Sequence, residues 1–250
     1  MNAFAELGIE SIELKLTEST HLAQLFEAIR KLIHKGFQVT FHAPGRFRYP
    51  ADLNRQLESF AAISKFMNDE FDLVPLWVIH PLNSRIQRRS KIFAQTVDYL
   101  RQILYSMAAI PARFALEILR NRAESGKTHV GDSYQDILNI LSNFDRKNLG
   151  ICWDFGHANA MYQRGLQEQF PPPEFLKKVI HCHVHDCLDQ KTHLPLGKGE
   201  VPIQKNIRLL LQNKFEGILN LEVAPHRMDD PSRFLDYVEQ SVQIIRKYIG

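Results

Sequence analysis

Acidic and imidazole side chains recur at the ends of short apolar runs along this sequence. Each run consists mostly of β-branched, aromatic or aliphatic residues, and a polar residue that can bind metal or carry a proton follows it directly. The residues in this position are His42, His80, Glu117, Asp154 and Glu222, and a sixth run leads into His181, His183 and His185. Such side chains are the common ligands of divalent cations and the common general acids and bases of enzymes. The pattern predicts acid–base or metal chemistry if the runs end at the same place.

Predicted strands and helices alternate along the whole chain, and this arrangement would bring these groups together. Amphipathic stretches such as Thr20–Lys35 and Arg89–Ala109 predict helices between the short apolar runs, which predict strands. The predicted strands are Ser11–Leu16, Gln38–Ala43, Leu76–His80, Arg113–Ile118, Gly150–Phe155, Val179–Asp186 and Ile218–Val223. Strands that alternate with helices favour a parallel sheet. For one α/β domain over residues 1–250 we expect a (β/α)₈ TIM-type barrel, with a doubly wound sheet as the alternative.

The strand count predicts that this barrel is incomplete. Seven strands can be recognised where eight are needed, and Ala3–Gly8 has the character of a helix end that leads into the first of them. We therefore expect the first strand–helix unit to be missing, which leaves two strands beside an open seam. Because unpaired strand edges tend to associate, we expect a helix, a loop or a second subunit to cover the seam. The seam thus favours a homodimer.

Composition sets the class of protein without indicating its chemistry. The chain is 44% hydrophobic and 24% charged, as globular proteins are, and it has no apolar run long enough to cross a membrane. The first eight residues resemble no secretory signal, and the three cysteines Cys152, Cys182 and Cys187 fit a cytoplasmic protein. The net charge of +3 permits an anionic substrate, but it is far below that of a dedicated DNA-binding protein.

The crowding of polar strand ends predicts a bound metal ion. In a parallel barrel the carboxyl ends of the strands share one mouth, and several carboxylates and imidazoles in such a cavity are costly unless they are paired or bind a cation. Oxygen and imidazole ligands suit Mn²⁺, Zn²⁺, Co²⁺ or Mg²⁺. Each residue alone also has a structural interpretation: Glu117 could pair with Arg113 or Arg120, and His181 could lie too deep to reach the mouth.

Several segments of the sequence resemble one known superfamily. The most specific are Asp154-Phe155-Gly156-His157 and His193-Leu194-Pro195-Leu196-Gly197-Lys198-Gly199. Further matching segments are Phe41–Pro44, Ile79–Pro81, Ala115–Glu117, His183–Asp186 and Leu219–Glu222. The chain resembles the xylose isomerase-like barrels, which unite sugar isomerases and epimerases with the endonuclease IV-like enzymes of DNA repair. The resemblance extends over nearly the whole chain.

The resemblance to the isomerase and epimerase branch implies a single metal site. Its ligands would be Glu117, Asp154, His183 and Glu222, and its ion would be Mn²⁺, Co²⁺ or Mg²⁺. The ion would stabilise the enediolate of a sugar or sugar phosphate, while Glu117 and Glu222 would remove and return a proton on opposite faces of the substrate. His185 and Lys198 are the expected substrate-binding residues. An isomerase or epimerase is accordingly the principal functional hypothesis.

The endonuclease IV-like branch implies a multi-metal cluster instead. His42, His80, His157 and His193 would then be additional ligands, Zn²⁺ the expected ion, and DNA with abasic sites the substrate of a phosphodiester hydrolase. An aspartate expected two residues before His193 is Lys191 here, and its positive charge opposes a third cation. The arginines of two predicted rim loops, which would hold phosphates of DNA or of one sugar, are Arg46, Arg48, Arg85, Arg88 and Arg89. A lyase acting through the same enediolate and a catalytically silent metal-binding protein are the remaining alternatives.

Overall fold

Seven parallel strands form one sheet that curves into a nearly closed barrel. The computed structural model describes residues 2–45, 47–121 and 126–249. In chain order its strands are β1 (Ser11–Lys15), β2 (Gln38–His42), β3 (Leu76–Ile79), β4 (Asn83–Ser84), β5 (Arg113–Glu117), β6 (Thr128–His129), β7 (Leu149–Asp154), β8 (Val179–Val184), β9 (Asp186–Leu188), β10 (Lys191–Leu194) and β11 (Ile218–Leu221). The barrel order is β1-β2-β3-β5-β7-β8-β11, and two short antiparallel pairs, β4 with β6 and β9 with β10, lie outside it. The prediction of seven barrel strands is confirmed.

Helices alternate with the barrel strands and pack on the outer face of the sheet. They are α1 (Asn2–Glu6), α2 (Leu22–Ile33), α3 (Leu53–Phe71), α4 (Arg89–Ser106), α5 (Tyr134–Leu141), α6 (Phe155–Gln163), α7 (Pro173–Leu176), α8 (Ile203–Gln212) and α9 (Phe234–Ile249). Within the described ranges no helix combines the length and the apolar character that crossing a membrane requires. The helices predicted over Thr20–Lys35 and Arg89–Ala109 are present as α2 and α4, with shorter bounds.

The two-residue period of the strands separates an outer apolar face from an inner face that carries the polar groups. In β7, Ile151 and Trp153 belong to the main core between sheet and helices, whereas Cys152 points into the barrel. Asp154 follows on the inner parity at the carboxyl end. The side chains that form a small apolar layer inside the barrel are Leu76, Val78, Ala115, Cys152 and Ile180. This layer supports the polar groups near the mouth.

An irregularity in β8 interrupts the two-residue period of the strands. Strict alternation would place Ile180 on the outer face with Cys182 and Val184, yet Ile180 packs on the inner apolar layer. The pairing with β7 shifts between Ile151 opposite Val179 and Cys152 opposite His181, so β8 contains one extra residue there. Such a bulge changes which face a residue occupies. The predicted strand Val179–Asp186 also breaks at His185 into β8 and β9.

The two edges of the sheet, β1 and β11, face each other across an open seam. In the described part of the chain no ladder of backbone hydrogen bonds joins them. A cavity of about 990 Å³ lies along the seam, and its apolar wall includes Phe4, Phe215 and Ile245 from the surrounding segments. The Arg246 side chain on α9 donates a hydrogen bond to the Gly8 carbonyl oxygen at 2.8 Å. Helices α1 and α9 therefore flank the seam, while the homodimer stays a prediction.

Candidate metal-binding active site

Four side chains from neighbouring strands converge at the carboxyl end of the barrel. Asp154 on β7 stands directly opposite His183 on β8, Glu117 ends β5, and Glu222 follows β11. Each offers one ligand atom, and these atoms lie within 4.8 Å of one another. His183 Nδ1 is 3.1 Å from Glu222 Oε2, 3.6 Å from Glu117 Oε1 and 3.8 Å from Asp154 Oδ2. The structure thus brings together the four predicted ligands.

The donor atoms of this group fit a divalent cation. His183 Nδ1 and Glu222 Oε2 are buried and form no hydrogen bond, although they lie 3.1 Å apart. Buried polar atoms that remain unpaired cost free energy, and an ion between them removes this cost. Three carboxylates and one imidazole provide the oxygen-rich set that Mn²⁺, Co²⁺ or Mg²⁺ prefers, and Zn²⁺ also accepts such ligands.

The carboxylates and imidazoles of the group shift one another's pKa values. Burial alone would raise the pKa of Glu117, but the imidazoles of His80, His183 and His157 outweigh it and hold that pKa well below its usual value. His183 likewise lowers the pKa of Glu222 against the effect of burial. Burial would lower the pKa of His183, but the surrounding carboxylates, Glu13 among them, raise it well above normal. Both glutamates are therefore ionised, and a proton competes with a metal ion for the His183 imidazole.

Metal binding is consequently expected to release a proton from His183. Because the pKa of this imidazole is raised, the proton must leave before the nitrogen can bind a cation, and the apparent affinity should increase about tenfold per pH unit while His183 is protonated. Calorimetric titration with Mn²⁺ in buffers of different ionisation enthalpy measures the released proton. An affinity that does not change between about pH 6 and pH 8 would contradict this expectation.

Asp154 is oriented by contacts with His157 and His185, and its Oδ2 also faces His183 Nδ1 in the ligand group. Its Oδ1 accepts the backbone N–H of His157 at 2.7 Å and caps the start of α6. His185 Nε2 lies 2.9 Å from the same oxygen, and His185 Nδ1 accepts the backbone N–H of His193 at 2.9 Å. A Cβ atom on Gly156 would lie 1.9 Å from the His185 ring, so only glycine fits there. Since both His185 nitrogens contact protein, a substrate contact would require one of these bonds to break.

Lys198, the other predicted substrate-binding residue, lies apart from the ligand group. Its Nζ atom is 3.6 Å from Asp229 Oδ2 and 5.9 Å from the centre of the Tyr237 ring. The side chain is half-exposed on the loop after β10. In this arrangement Lys198 connects its loop with the segment that leads into α9.

A second group of ligand atoms shares Glu117 with the first. His42 Nδ1 donates to the Ala43 carbonyl oxygen at 2.7 Å, which leaves Nε2 without a proton in the neutral ring. His42 Nε2 and His80 Nε2 are 3.2 Å apart and lie 3.3 Å and 2.8 Å from Glu117 Oε2. Glu117 therefore directs Oε1 towards the four-residue group and Oε2 towards the two imidazoles, as a carboxylate bridging two ions would.

A third group, formed by imidazoles alone, is less suited to a metal. His157, His185 and His193 have nitrogens within 4.8 Å of one another, but both nitrogens of His185 contact the protein as described above. Burial and the nearby His185 lower the pKa of His193 to about 4, so this imidazole is neutral at physiological pH. Lys191, at the position of the expected aspartate, is exposed. Only His157 and His193 remain as ligands in this group.

The predicted phosphate-binding arginines differ in their surroundings. Arg48 forms an ion pair with Asp52 at 3.2 Å. Arg89 contacts Asp132 at 2.8 Å and an oxygen of Asp136 at 2.9 Å. The remaining ones are Arg85 and Arg88, which are exposed, and Arg46, which lies outside the described residues. Arg48 and Arg89 thus already have carboxylate partners.

Sequence reasoning assigned no role to two carboxylates that organise this end of the barrel. Glu13, in the middle of β1, contacts both His181 and His183. The Asp186 carboxylate accepts four backbone hydrogen bonds of 2.9–3.0 Å, from the N–H groups of Cys187, Gly197, Gly199 and Val201. A Cβ on Gly199 would lie 2.5 Å from Asp186 Oδ1, which explains the second glycine of the His-Leu-Pro-Leu-Gly-x-Gly segment. A polar residue that ends a strand before a glycine-rich loop was the available signal for Asp186.

Exchange of Asp186 for Asn is expected to lower the free energy of unfolding by about 2–4 kcal/mol, because an amide cannot accept all four N–H groups and loses the charge that strengthens them. Urea denaturation measures the change. Asp189→Asn, at an exposed position on the neighbouring turn, is the matched control and should alter stability by less than about 0.5 kcal/mol. Equal stability of the two variants would show that the Asp186 contacts contribute little.

Comparison with known proteins agrees with this architecture. The profile of the xylose isomerase-like TIM barrel family matches residues 1–248, and the chain belongs to this family. A D-tagatose 3-epimerase-like protein superimposes with a TM-score of 0.75 at 21% identity, covering 100% of this chain and 94% of its own. D-psicose 3-epimerase of Clostridium cellulolyticum H10, solved with D-tagatose, gives 0.73 at 14% identity over 100% and 92%. The IOLI protein, solved with a bound zinc atom, gives 0.70 at 16% identity over 99% and 92%. At these identities the likeness shows a shared fold.

Proposed function

We propose that this protein is a divalent-metal-dependent epimerase or isomerase of a sugar or sugar phosphate. The observation that carries the proposal is the unpaired Nδ1 of His183, which faces the carboxylates of Glu117, Asp154 and Glu222. Such a set can hold a metal and still present two ionised carboxylates to a substrate. The sugar epimerases among its structural neighbours support the same chemistry.

The two glutamates are suited to opposite faces of one substrate. Glu117 ends β5 and Glu222 follows β11, and β7 and β8 separate these strands in the barrel. A divalent cation bound between them would withdraw electrons from the carbonyl and the neighbouring hydroxyl of the substrate. Glu222 would accept the proton from carbon on one face and release it to solvent, and Glu117 would take up a proton from solvent and deliver it to the other face. Exchange of faces is the event that epimerisation requires.

The mouth of the site offers contacts for a polyhydroxy compound. His80, His193 and Glu222 are 27%, 20% and 24% exposed at the side chain, whereas Asp154 and His183 are fully buried. The neutral His193 ring can donate a hydrogen bond to a hydroxyl group or accept one from it. A small sugar can thus reach the two glutamates while the deeper ligands remain shielded from water.

Incubation with a panel of ketoses and aldoses in D₂O tests the proposal. The protein is loaded in turn with Mn²⁺, Co²⁺ or Mg²⁺, and products are followed by NMR and chromatography. We expect an epimer or isomer of at least one sugar, with deuterium at the carbon that inverts or exchanges. Metal-loaded protein that neither converts nor exchanges any sugar in a broad panel would contradict the proposal. A dehydrated or cleaved product would identify a lyase instead.

The second ligand group favours one alternative, a metal-dependent phosphodiester hydrolase. His42 and His80 beside Glu117 Oε2 would hold a second ion next to the first, and paired ions are typical of phosphate-ester hydrolysis. Nicking of a duplex with one abasic site, with a steep dependence on salt, would support this alternative. His80→Ala should abolish such nicking, whereas a single-metal protein should still bind one ion per chain in the same variant.

A further inference from the structure

Glu13 is a buried carboxylate that the proposed reaction does not use. It lies on the inner face of β1, and its side chain is 7% exposed. One oxygen, Oε1, is 3.1 Å from His183 Nε2, and the other, Oε2, is 3.0 Å from His181 Nε2. The carboxylate therefore joins β1 at one edge of the open barrel to β8, next to the other edge.

The contact determines which nitrogen of His183 carries the fixed proton. An ionised carboxylate only accepts hydrogen bonds, so the imidazole must donate from Nε2. A neutral imidazole has a single N–H group, and Nδ1 is then left with a lone pair. That lone pair points towards Glu117, Asp154 and Glu222, where a divalent cation can bind all four groups.

We infer that Glu13 is a positioning residue that selects Nδ1 of His183 as the metal-binding nitrogen and holds the ring in register with the three carboxylates. The inference rests on the proposed metal site and adds a residue that lies outside its four-ligand group. His181 holds the second oxygen of Glu13, so the carboxylate cannot rotate away from His183. Carboxylates that bind the outer N–H of a metal-binding histidine typically contribute a factor of about 10–100 in metal affinity.

Glu13→Gln is the variant that tests this inference, because it keeps the shape of the side chain and removes its charge. We expect its affinity for Mn²⁺, measured by competition with a chelator, to fall about 10–100-fold. Glu10→Gln, at an exposed position directly before β1, is the matched control and should bind Mn²⁺ as the unaltered protein does. Thermal unfolding of the metal-free proteins shows whether Glu13→Gln has changed the fold as well.

A second measurement needs no variant at Glu13. Two-bond ¹H–¹⁵N correlation spectra of the Zn²⁺-loaded protein report which histidine nitrogen carries a proton, and His183→Gln assigns the signal. We expect a proton on Nε2 and the metal on Nδ1. Metal on Nε2, or unchanged Mn²⁺ affinity in Glu13→Gln, would overturn the inference. Absence of sugar turnover with both results as expected would remove the proposed function and leave the role of Glu13 intact.

Discussion

Exchange of either glutamate for glutamine is expected to lower the rate of epimerisation about 10²–10⁴-fold, the usual contribution of a general acid or base. The two variants should differ in the epimer whose proton they still exchange with solvent. If Glu222 and Glu117 serve opposite faces, Glu222→Gln keeps solvent exchange with one epimer and Glu117→Gln keeps it with the other. Each variant is loaded with excess Mn²⁺ and incubated with each epimer separately in D₂O. NMR of the recovered sugar then measures the deuterium incorporated from each epimer.

Glu216→Gln is the matched control for these variants, because Glu216 is exposed on the turn before β11 and far from the ligand atoms. It should epimerise and exchange at the unaltered rate. Loss of exchange with the same epimer in both active-site variants would indicate a single base that serves both faces. Turnover near the unaltered rate in either variant would exclude that glutamate from proton transfer.

Exchange of Asp154 should have the largest effect on metal binding. Asp154→Asn keeps an oxygen for the His157 N–H but replaces Oδ2, the oxygen nearest to the ligand group, with an amide. We expect its affinity for Mn²⁺ to fall by more than about 100-fold, beyond the effect typical of outer residues. Asp154→Ala should lose the same affinity and also about 1 kcal/mol of stability, because the cap of α6 is removed. Chelator competition and urea denaturation separate the two losses.

Ser133→Ala provides the complementary control. The Ser133 side chain caps α5 by accepting the backbone N–H of Asp136 at 3.2 Å, away from the ligand group. This variant should lose about 1 kcal/mol of stability and retain its affinity for Mn²⁺. A drop in metal affinity in Ser133→Ala would mean that reduced stability alone weakens the site, and the effect of Asp154→Asn would then need another explanation.

The barrel could be predicted from the sequence because it depends on local patterns. A two-residue period in strands and a three-to-four-residue period in helices identified seven strands and placed their polar ends at one mouth. The inner position of Ile180 could not be predicted in this way, because a bulge in β8 depends on its register with β7. The same limit applies to the break at His185, which bonds to the backbone of β10 and packs against Gly156.

In the candidate site, too, residues marked by local sequence patterns could be predicted and those that depend on distant contacts could not. Glu117, Asp154 and Glu222 directly follow apolar runs, so the carboxyl-end rule for parallel barrels placed them correctly at one mouth. Glu13 precedes Leu14 and Lys15 within its strand and gave no such signal. Its partner His183 is 170 residues away, and only the closure of β1 towards β8 brings the two together. Residues that orient ligands are therefore harder to predict than the ligands.

Elemental analysis of the protein, purified without a chelator or a metal-binding tag, tests directly whether these four residues bind a metal ion. We expect about one atom of Mn, Co or Zn per chain at the four-residue group, and near-complete loss in Asp154→Asn. About two atoms per chain would indicate a second ion at His42 and His80 and would favour the phosphodiester hydrolase. No bound metal, even after soaking with each of these ions and with Mg²⁺, would contradict the claim that these residues form a metal site.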